Sequence, residues 1–284
     1  MTARITLALL FVIPAALAYP WPSVRDRWVL GVAVAAVMIL FAWWRGAFLT
    51  TIVARRVGVW RRNRRRGRRR STPATRTTAL LRVEPESANQ DPPLDVLAGY
   101  LDRYGLRADA VRLTSRDAGG QRMTWIGLTL DATDNLAALQ ARSADIPLQK
   151  TAAIAVRRLR DHLSEFGFMT TVVDPAEVPE LPTGKETWRG VRTEAGYLAA
   201  YRVAVDDGLD QTLSAVRSQA SGETWTSLEL SGAAGRPEMA AACALLTPKR
   251  PANAPVPGLA AQRGRHGLAL NALHPLSVQR IPAS

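Results

Sequence analysis

The sequence predicts an α+β or α/β cytoplasmic domain preceded by an N-terminal two-helix transmembrane hairpin. Three observations carry that reading. Two charge-free apolar runs precede residue 45, and eleven arginines with no acid lie between Arg45 and Arg70. Beyond Pro93 the chain switches repeatedly between two-residue alternation and helical periodicity. The expected organisation is a transmembrane helical hairpin over 1–45, an Arg-rich juxtamembrane segment and linker over 46–93, and a cytoplasmic α/β domain over 94–284.

The hairpin comes first. Ile5 to Tyr19 carries no charge, and Trp28 to Trp44 carries none over 17 residues. At helical rise the second run reaches roughly 25 Å, the lower end of what a bilayer core requires. The first run reaches that range when extended to Trp21, with Arg4 snorkelling to the interface. Pro14 inside it is better tolerated in a membrane helix than in a soluble one. Pro20, Trp21 and Pro22 open a tight polar turn that continues to Arg27. Trp28, Trp43 and Trp44 flank the second run, where an amphipathic ring prefers the lipid–water boundary. A cleaved signal peptide competes for the first run: Arg4 would be its charged start and Ala16-Leu17-Ala18 its small-x-small cleavage site. Pro-Trp-Pro immediately after that site disfavours processing.

The cationic collar follows. Besides Arg45 it contains Arg55, Arg56, Arg61, Arg62, Arg64, Arg65, Arg66, Arg68, Arg69 and Arg70. Removing these eleven charges from the formal +13 leaves about +2 for the rest, so this is a near-neutral chain with one intense basic stretch. Arginine in short juxtamembrane segments stays on the cytoplasmic side, which places both termini of an intact hairpin in the cytoplasm and the chain in the plasma membrane. The collar would supply ample phosphate contacts to a nucleic acid, yet no aromatic interleaving or reading fold accompanies it. Anionic lipid head groups are the expected partner, at about 1 kcal/mol per Arg before screening. An acidic partner protein is the second reading, and nucleic acid is not expected. Val53 to Trp60 continues the second helix beyond the membrane, and the run containing Asn63 and Gly67 frays.

In the folded body, Ser71 to Pro93 reads as an irregular linker with a short strand over Leu80 to Val83. Leu94, Leu97, Leu101 and Tyr104 keep helical spacing to a cap at Gly105. Ala108 to Arg116 and Gln121 to Leu130 alternate around Gly119-Gly120, a hairpin signal. A helix begins near Asp131 or Thr133 with Leu136 and Leu139 inward. A longer one covers Leu148 to Phe166, burying Ile154, Leu159, Leu163 and Phe166 and closing at Gly167. Phe168 to Val173 is strand-like, Asp174 to Glu186 a Pro-rich loop. Thr187 to Thr193 pairs with Tyr197 to Val205 across Glu194-Ala195-Gly196. Leu209 to Ser218 is a helix and Thr224 to Leu230 a strand. Pro237 to Leu246 reads as an Ala-rich helix with Pro in its first turn. Pro248 to Gly264 is irregular, and Gly267 to Leu273 a last strand. Two blocks thus share the order hairpin, helix, strand, helix, as an ancient duplication would leave it, but residue identity between them is too weak to assert one.

Motifs for chemistry are missing. Cys243 is the sole cysteine, which precludes an intramolecular disulfide and a Cys-based zinc site, and the only histidines are His162, His266 and His274. No Gly-x-x-x-x-Gly-Lys-Ser/Thr, Gly-x-Gly-x-x-Gly or Gly-x-Ser-x-Gly motif occurs. Asp131 and Asp134 at a strand end could hold a metal for a sugar nucleotide, but cap the following helix equally well. Asp206-Asp207-Gly208 is a turn and cap by the same logic. His162 faces solvent, and His266 and His274 make no metal pair. Cys243 is a small buried apolar residue, and Trp125, Trp188 and Trp225 are core. No catalytic, cofactor-binding or metal-binding residue is assigned.

The layout resembles the EccE family, a membrane component of the mycobacterial and actinobacterial type VII (ESX) secretion systems. The similar features are the helical hairpin, the Arg-rich run after Trp60, and the stretch from Thr124 through Trp125, Ile126, Gly127, Leu128, Thr129, Leu130 and Asp131 to Ala132, followed by Asn135 to Arg142. The resemblance implies a non-catalytic, cofactor-free subunit in a hetero-oligomer beside proteins of the EccB, EccC and EccD types. It also implies a shorter member of the family, without the extra C-terminal regions of longer relatives. Small residues such as Gly31, Ala33, Ala35 and Ala36 would let the hairpin pack against neighbouring helices. The alternative is a membrane-anchored inner-leaflet enzyme acting on a sugar nucleotide or lipid.

Overall fold

The strand-forming alternation after residue 75 resolves into a single antiparallel sheet. The computed structural model describes residues 10, 12–13, 16, 27–28, 30–34, 43–44, 47–64, 75–84, 92–143, 146–218 and 222–282. The chain divides into two units, Met1–Arg64 and Arg65–Ser284.

In the first unit, β1 (Trp43–Trp44) pairs with β2 (Ala47–Phe48), and α1 (Leu49–Arg64) follows. Residues 27–28 and 30–34 are helical. Most of the run from Ile5 to Tyr19, the turn from Pro20 and much of the second run lie outside the described residues. Among the described residues, no helix is long and apolar enough to cross a membrane. The second run also departs from the expected continuous helix at Trp43–Trp44, which are extended and face Phe48 and Ala47.

The second unit contains β3 (Arg76–Val83), α2 (Leu94–Gly99), β4 (Asp102–Arg103), β5 (Leu106–Ala118), β6 (Gln121–Asp131), α3 (Leu136–Gln140), α4 (Leu148–Glu165) and β7 (Thr170–Val172). It continues with β8 (Lys185–Thr187), β9 (Gly190–Thr193), β10 (Gly196–Val203), α5 (Leu209–Ser218), β11 (Thr224–Ala233), β12 (Arg236–Thr247), β13 (Leu259–Ala261) and α6 (His266–Leu273). The sheet order is β7-β3-β6-β5-β11-β12-β10-β9-β8, with β13 on β10 and β4 on β5. Every pairing is antiparallel. Of the two classes expected, α+β is therefore the one observed, since an α/β fold requires parallel strands.

A repeat organises this sheet. In β3-α2-β5-β6 a strand leads through a helix into a hairpin whose last strand returns beside the first. The succession β10-α5-β11-β12 does the same, and β5 pairs with β11 at the junction. A later short strand then adds to each outer strand, β7 to β3 and β13 to β10. The shared unit therefore begins on a strand, not on the hairpin that the sequence order suggested. Gly119 (φ 59°) and Gly120 (φ 78°) turn the β5–β6 hairpin with both residues left-handed, a geometry glycine adopts without cost.

Both faces are covered. On one, α2 and α4 cover Leu81, Val111, Ile126 and Leu128. On the same face α5 covers Tyr201, Leu228, Ala241 and Cys243. The opposite face buries Leu80, Trp125, Leu198, Trp225 and Ala244 beneath α6 and the tail through Ile281. Gly127 permits this close cover, because a methyl group there would meet Leu80 Cδ2 at 3.1 Å and the Pro275 carbonyl at 3.2 Å.

Several expectations need correction. Pro237 to Leu246 is strand, not helix: β12 pairs with both β10 and β11, and this double ladder overrides the helix propensity of alanine. Its small side chains suit a strand buried on both faces. Gly267 to Leu273 is helix, not strand. The neighbouring edge of β10 is already taken by β9 and β13, and α6 instead buries Ala269, Leu270 and Leu273 against the sheet. The helix from Leu94 stops at Gly99, because Asp102–Arg103 fold back on β5. On α4 the buried stripe is Leu148, Ala152, Ala155, Val156, Leu159 and Leu163, whereas Ile154 and Phe166 are exposed. Leu139 is buried on α3 but Leu136 is not. Residues 76–83, within the expected linker, form a full strand of the sheet.

Candidate functional site

Helix α1 carries the described part of the basic collar. Arg56, Arg61 and Arg64 are exposed and Arg55 is half-buried. Val53, Val57 and Trp60 are also exposed, and their i, i+4, i+7 spacing puts them in one stripe. The Arg64 guanidinium lies 3.8 Å from the Trp60 ring centroid. Arg62 belongs to the same helix. Arg65, Arg66, Arg68, Arg69 and Arg70 lie outside the described residues. Trp28 is helical and exposed, while Trp43 and Trp44 form β1.

The folded unit has a charged centre that the sequence reading missed. Arg112 on β5 lies opposite Glu229 on β11, and both are buried. The Arg112 guanidinium donates to the Glu229 carboxylate and to the carbonyls of His274, Ser277 and Gln279. The Ile281 N–H donates to the same carboxylate at 3.3 Å. Arg280 pairs with Asp109 at 3.0 Å and with Glu229 at 3.6 Å. An acid between Leu228 and Leu230 in an apolar strand was the available signal, but nothing local names a partner 117 residues away.

Beside it lies a cleft of about 360 Å³, lined by Asp102, Arg107, Asp109, Asp134 and Arg280 among others. Its Asp109 carboxylate is engaged by Arg280, and by Arg76 at 3.5 Å. Asp131 accepts from the N–H and hydroxyl of Thr133 and from Arg76 Nε at 2.7 Å. Burial pushes the Asp131 carboxyl up, but these hydrogen bonds outweigh it and hold the group below the usual carboxylate range. Asp131 thus orders the turn leading to α3, and Asp134 lines the cleft, close enough to Arg76 to act on its charge. Among the described residues, no group of three or more His, Cys, Asp or Glu is placed to hold a metal ion.

The remaining candidates resolve into structure. Asp206 Oδ1 accepts from the Gly208 N–H at 2.9 Å, the expected turn. His162 is half-buried rather than solvent-facing, wedged beside Tyr100 and Phe166. His266 is buried and its Nδ1 accepts from the Ala200 N–H at 3.1 Å, fastening α6 to β10. Desolvation pushes its pKa down to about 4, so the ring is neutral at physiological pH. Cys243 is fully buried, and desolvation pushes its thiol up to about 12. Trp125 and Trp225 stack in the core with ring centroids 6.0 Å apart, whereas Trp188 is only half-buried.

Comparison with known proteins adds what this geometry lacks. The EccE family model, described as a type VII ESX secretion system translocon, matches residues 118–203, from the β5–β6 turn through β10. The ESX-3 secretion system protein EccE3 of Mycolicibacterium smegmatis is 53% identical over 282 residues, covering 99% of this chain and 90% of that protein. The protein of the same name from Mycobacterium tuberculosis strain CDC 1551 is 52% identical over 287 residues, covering 98% of this chain and 86% of that protein.

Proposed function

The chain belongs to the EccE family of type VII (ESX) secretion systems, and on that premise we propose that it is a membrane-anchored scaffolding subunit of an ESX-3-type export complex. It is a structural component of the secretion system and not an enzyme. Identity of 53% across 99% of the chain carries this reading.

Residues 1–45 form the transmembrane hairpin, 46–93 the juxtamembrane segment and linker, and 94–284 the bulk of the cytoplasmic domain, joined in its sheet by 76–83. Both termini are cytoplasmic. The exposed Val53, Val57 and Trp60, interleaved with exposed Arg56, Arg61 and Arg64 on the same helix, support contact of α1 with anionic head groups. The sheet unit presents a rigid surface to proteins of the EccB, EccC and EccD types. The inner-leaflet enzyme reading is disfavoured, since Asp131, its main candidate, is already committed to Arg76 and Thr133.

The test is copurification of a tagged chain from native membranes in mild detergent. The subunit reading expects migration in a large multi-subunit complex and loss of ESX-3 substrate export on gene deletion. Migration as a lone chain with export intact refutes it. A C-terminal tag reached by membrane-impermeant reagents on intact cells refutes the orientation.

A further inference from the structure

Tyr104 departs from what its side chain prefers. Its φ of 57° is left-handed, and among the described residues it is the one non-glycine with a positive φ. It shares the β4–β5 turn with Gly105 (φ 67°), where glycine or asparagine would fit without strain. The ring nevertheless stands 50% exposed. The Arg103 and Arg158 guanidiniums lie 5.2 Å and 4.7 Å from its centroid.

From this turn an aromatic strip runs across the C-terminal end of α4. Tyr104 meets Tyr100 edge-on at 6.3 Å, Tyr100 lies 6.0 Å from His162, and His162 meets Phe166 edge-on at 5.5 Å. The strip is locked from below. The Tyr100 hydroxyl donates to the Arg158 carbonyl at 3.0 Å, and Arg103 lies 3.3 Å from His162 Nδ1. Its ends are open: Phe166 is 52% exposed, and Met169 just beyond is 60% exposed. Exposed Tyr, Phe, Met and Arg on a rigid base is the composition of interface hot spots, not of ordinary solvated surface.

Charge identifies the occupant. Among the described residues, neither Arg103 nor Arg158 has a carboxylate partner; both guanidiniums rest on tyrosine rings. Two such forks beside an exposed ring suit a carboxylate presented singly. A broad anionic surface fits less well than one carboxylate, because Asp102 and Glu165 are exposed around the same strip and would repel further negative charge, while Asp161 is paired with Arg160. We infer that the strip from Tyr104 to Phe166 is a docking surface for a partner-protein segment that carries one carboxylate among apolar side chains, the carboxylate held between Arg103 and Arg158 and the apolar side chains against Tyr104, Phe166 and Met169. This rests on the subunit reading above and names the surface and chemistry by which the domain is held.

The experiment places a photo-reactive benzoylphenylalanine at position 104 or 166 of the full chain in living cells, with Glu194 at the β9–β10 turn as control position. Irradiation is expected to give a protein adduct from 104 and 166 whose cross-linked peptide contains Asp or Glu, absent from 194. Arg103→Glu with Arg158→Glu lowers adduct yield about tenfold or more, whereas Arg103→Lys with Arg158→Lys retains much of it. Tyr104→Gly, which relieves the backbone, keeps the thermal midpoint but weakens retention in the complex. Adducts to lipid alone, adducts to a peptide without acids, or yields indifferent to charge reversal overturn the surface. Native-gel migration read on the same samples separates the two claims. A chain in the large complex without adducts at 104 and 166 overturns the docking surface alone, and a chain migrating by itself overturns both.

Discussion

Arg112 and Glu229 face each other across the ladder that joins the two halves of the sheet, 3% and 2% exposed, and together they hold the C-terminal tail. The guanidinium takes up three tail carbonyls while the carboxylate takes the Ile281 N–H. A buried pair of this kind is weak evidence of net stability, but removing one partner leaves the other charge stranded. Here it also strands tail carbonyls.

Arg112→Met should therefore cost about 3–5 kcal/mol of unfolding free energy. Hydrogen exchange should localise the earliest loss of protection to the Ile281 amide and the adjoining tail. Chemical denaturation with peptide-resolved exchange checks both, and a tail as protected as in the unsubstituted chain would contradict the clamp.

His266 makes stability depend on pH. Its folded pKa of about 4 lies below the ordinary 6.5, so the unfolded chain binds the proton more readily. The stabilisation is present in full above about pH 6.5 and lost progressively as pH falls to about 4, amounting to about 3 kcal/mol. Denaturation series at pH 7.5, 5.5 and 4.5 should show this slope, and His266→Gln, which keeps an acceptor for the Ala200 N–H, should flatten it.

Cys243 should be silent in the native chain. Burial shields the sulfur and holds the thiol protonated, so a maleimide reagent should label almost none of it until denaturant is added, and then one thiol per chain. Mass spectrometry after timed labelling reads this directly. Introduced cysteines can then report topology without replacing the native one.

Asp131→Asn should cost about 1–2 kcal/mol, since it weakens the bond to Arg76 while keeping an acceptor for Thr133. Export of an ESX-3 substrate should continue at the normal level. Abolished export from a folded, complex-bound variant would revive a catalytic role for this carboxylate.

Local signals located most elements. The Gly119-Gly120 hairpin, the α4 segment, the β9–β10 hairpin, α5 and β11 all occur where alternation, helical spacing and turn residues put them. Those signals failed where a segment's state depends on its neighbours. Ala-rich β12 is a strand because two ladders claim it, and α6 is a helix because no adjacent edge of β10 is left to it. The buried Arg112–Glu229 pair and the Tyr104 strip were equally illegible, since their members are brought together from distant parts of the chain.

By itself the sequence determined the concentration of charge before residue 71, the absence of nucleotide-loop and hydrolase motifs, and the likeness to a secretion-system family. These are properties of composition and of consecutive residues. Only the tertiary structure decided that the sheet is antiparallel throughout, that it is built around two copies of one strand–helix–hairpin unit, and that its centre clamps the tail. Strand pairing is chosen by burial across long separations, and no window of neighbouring residues records which edge a distant strand will find.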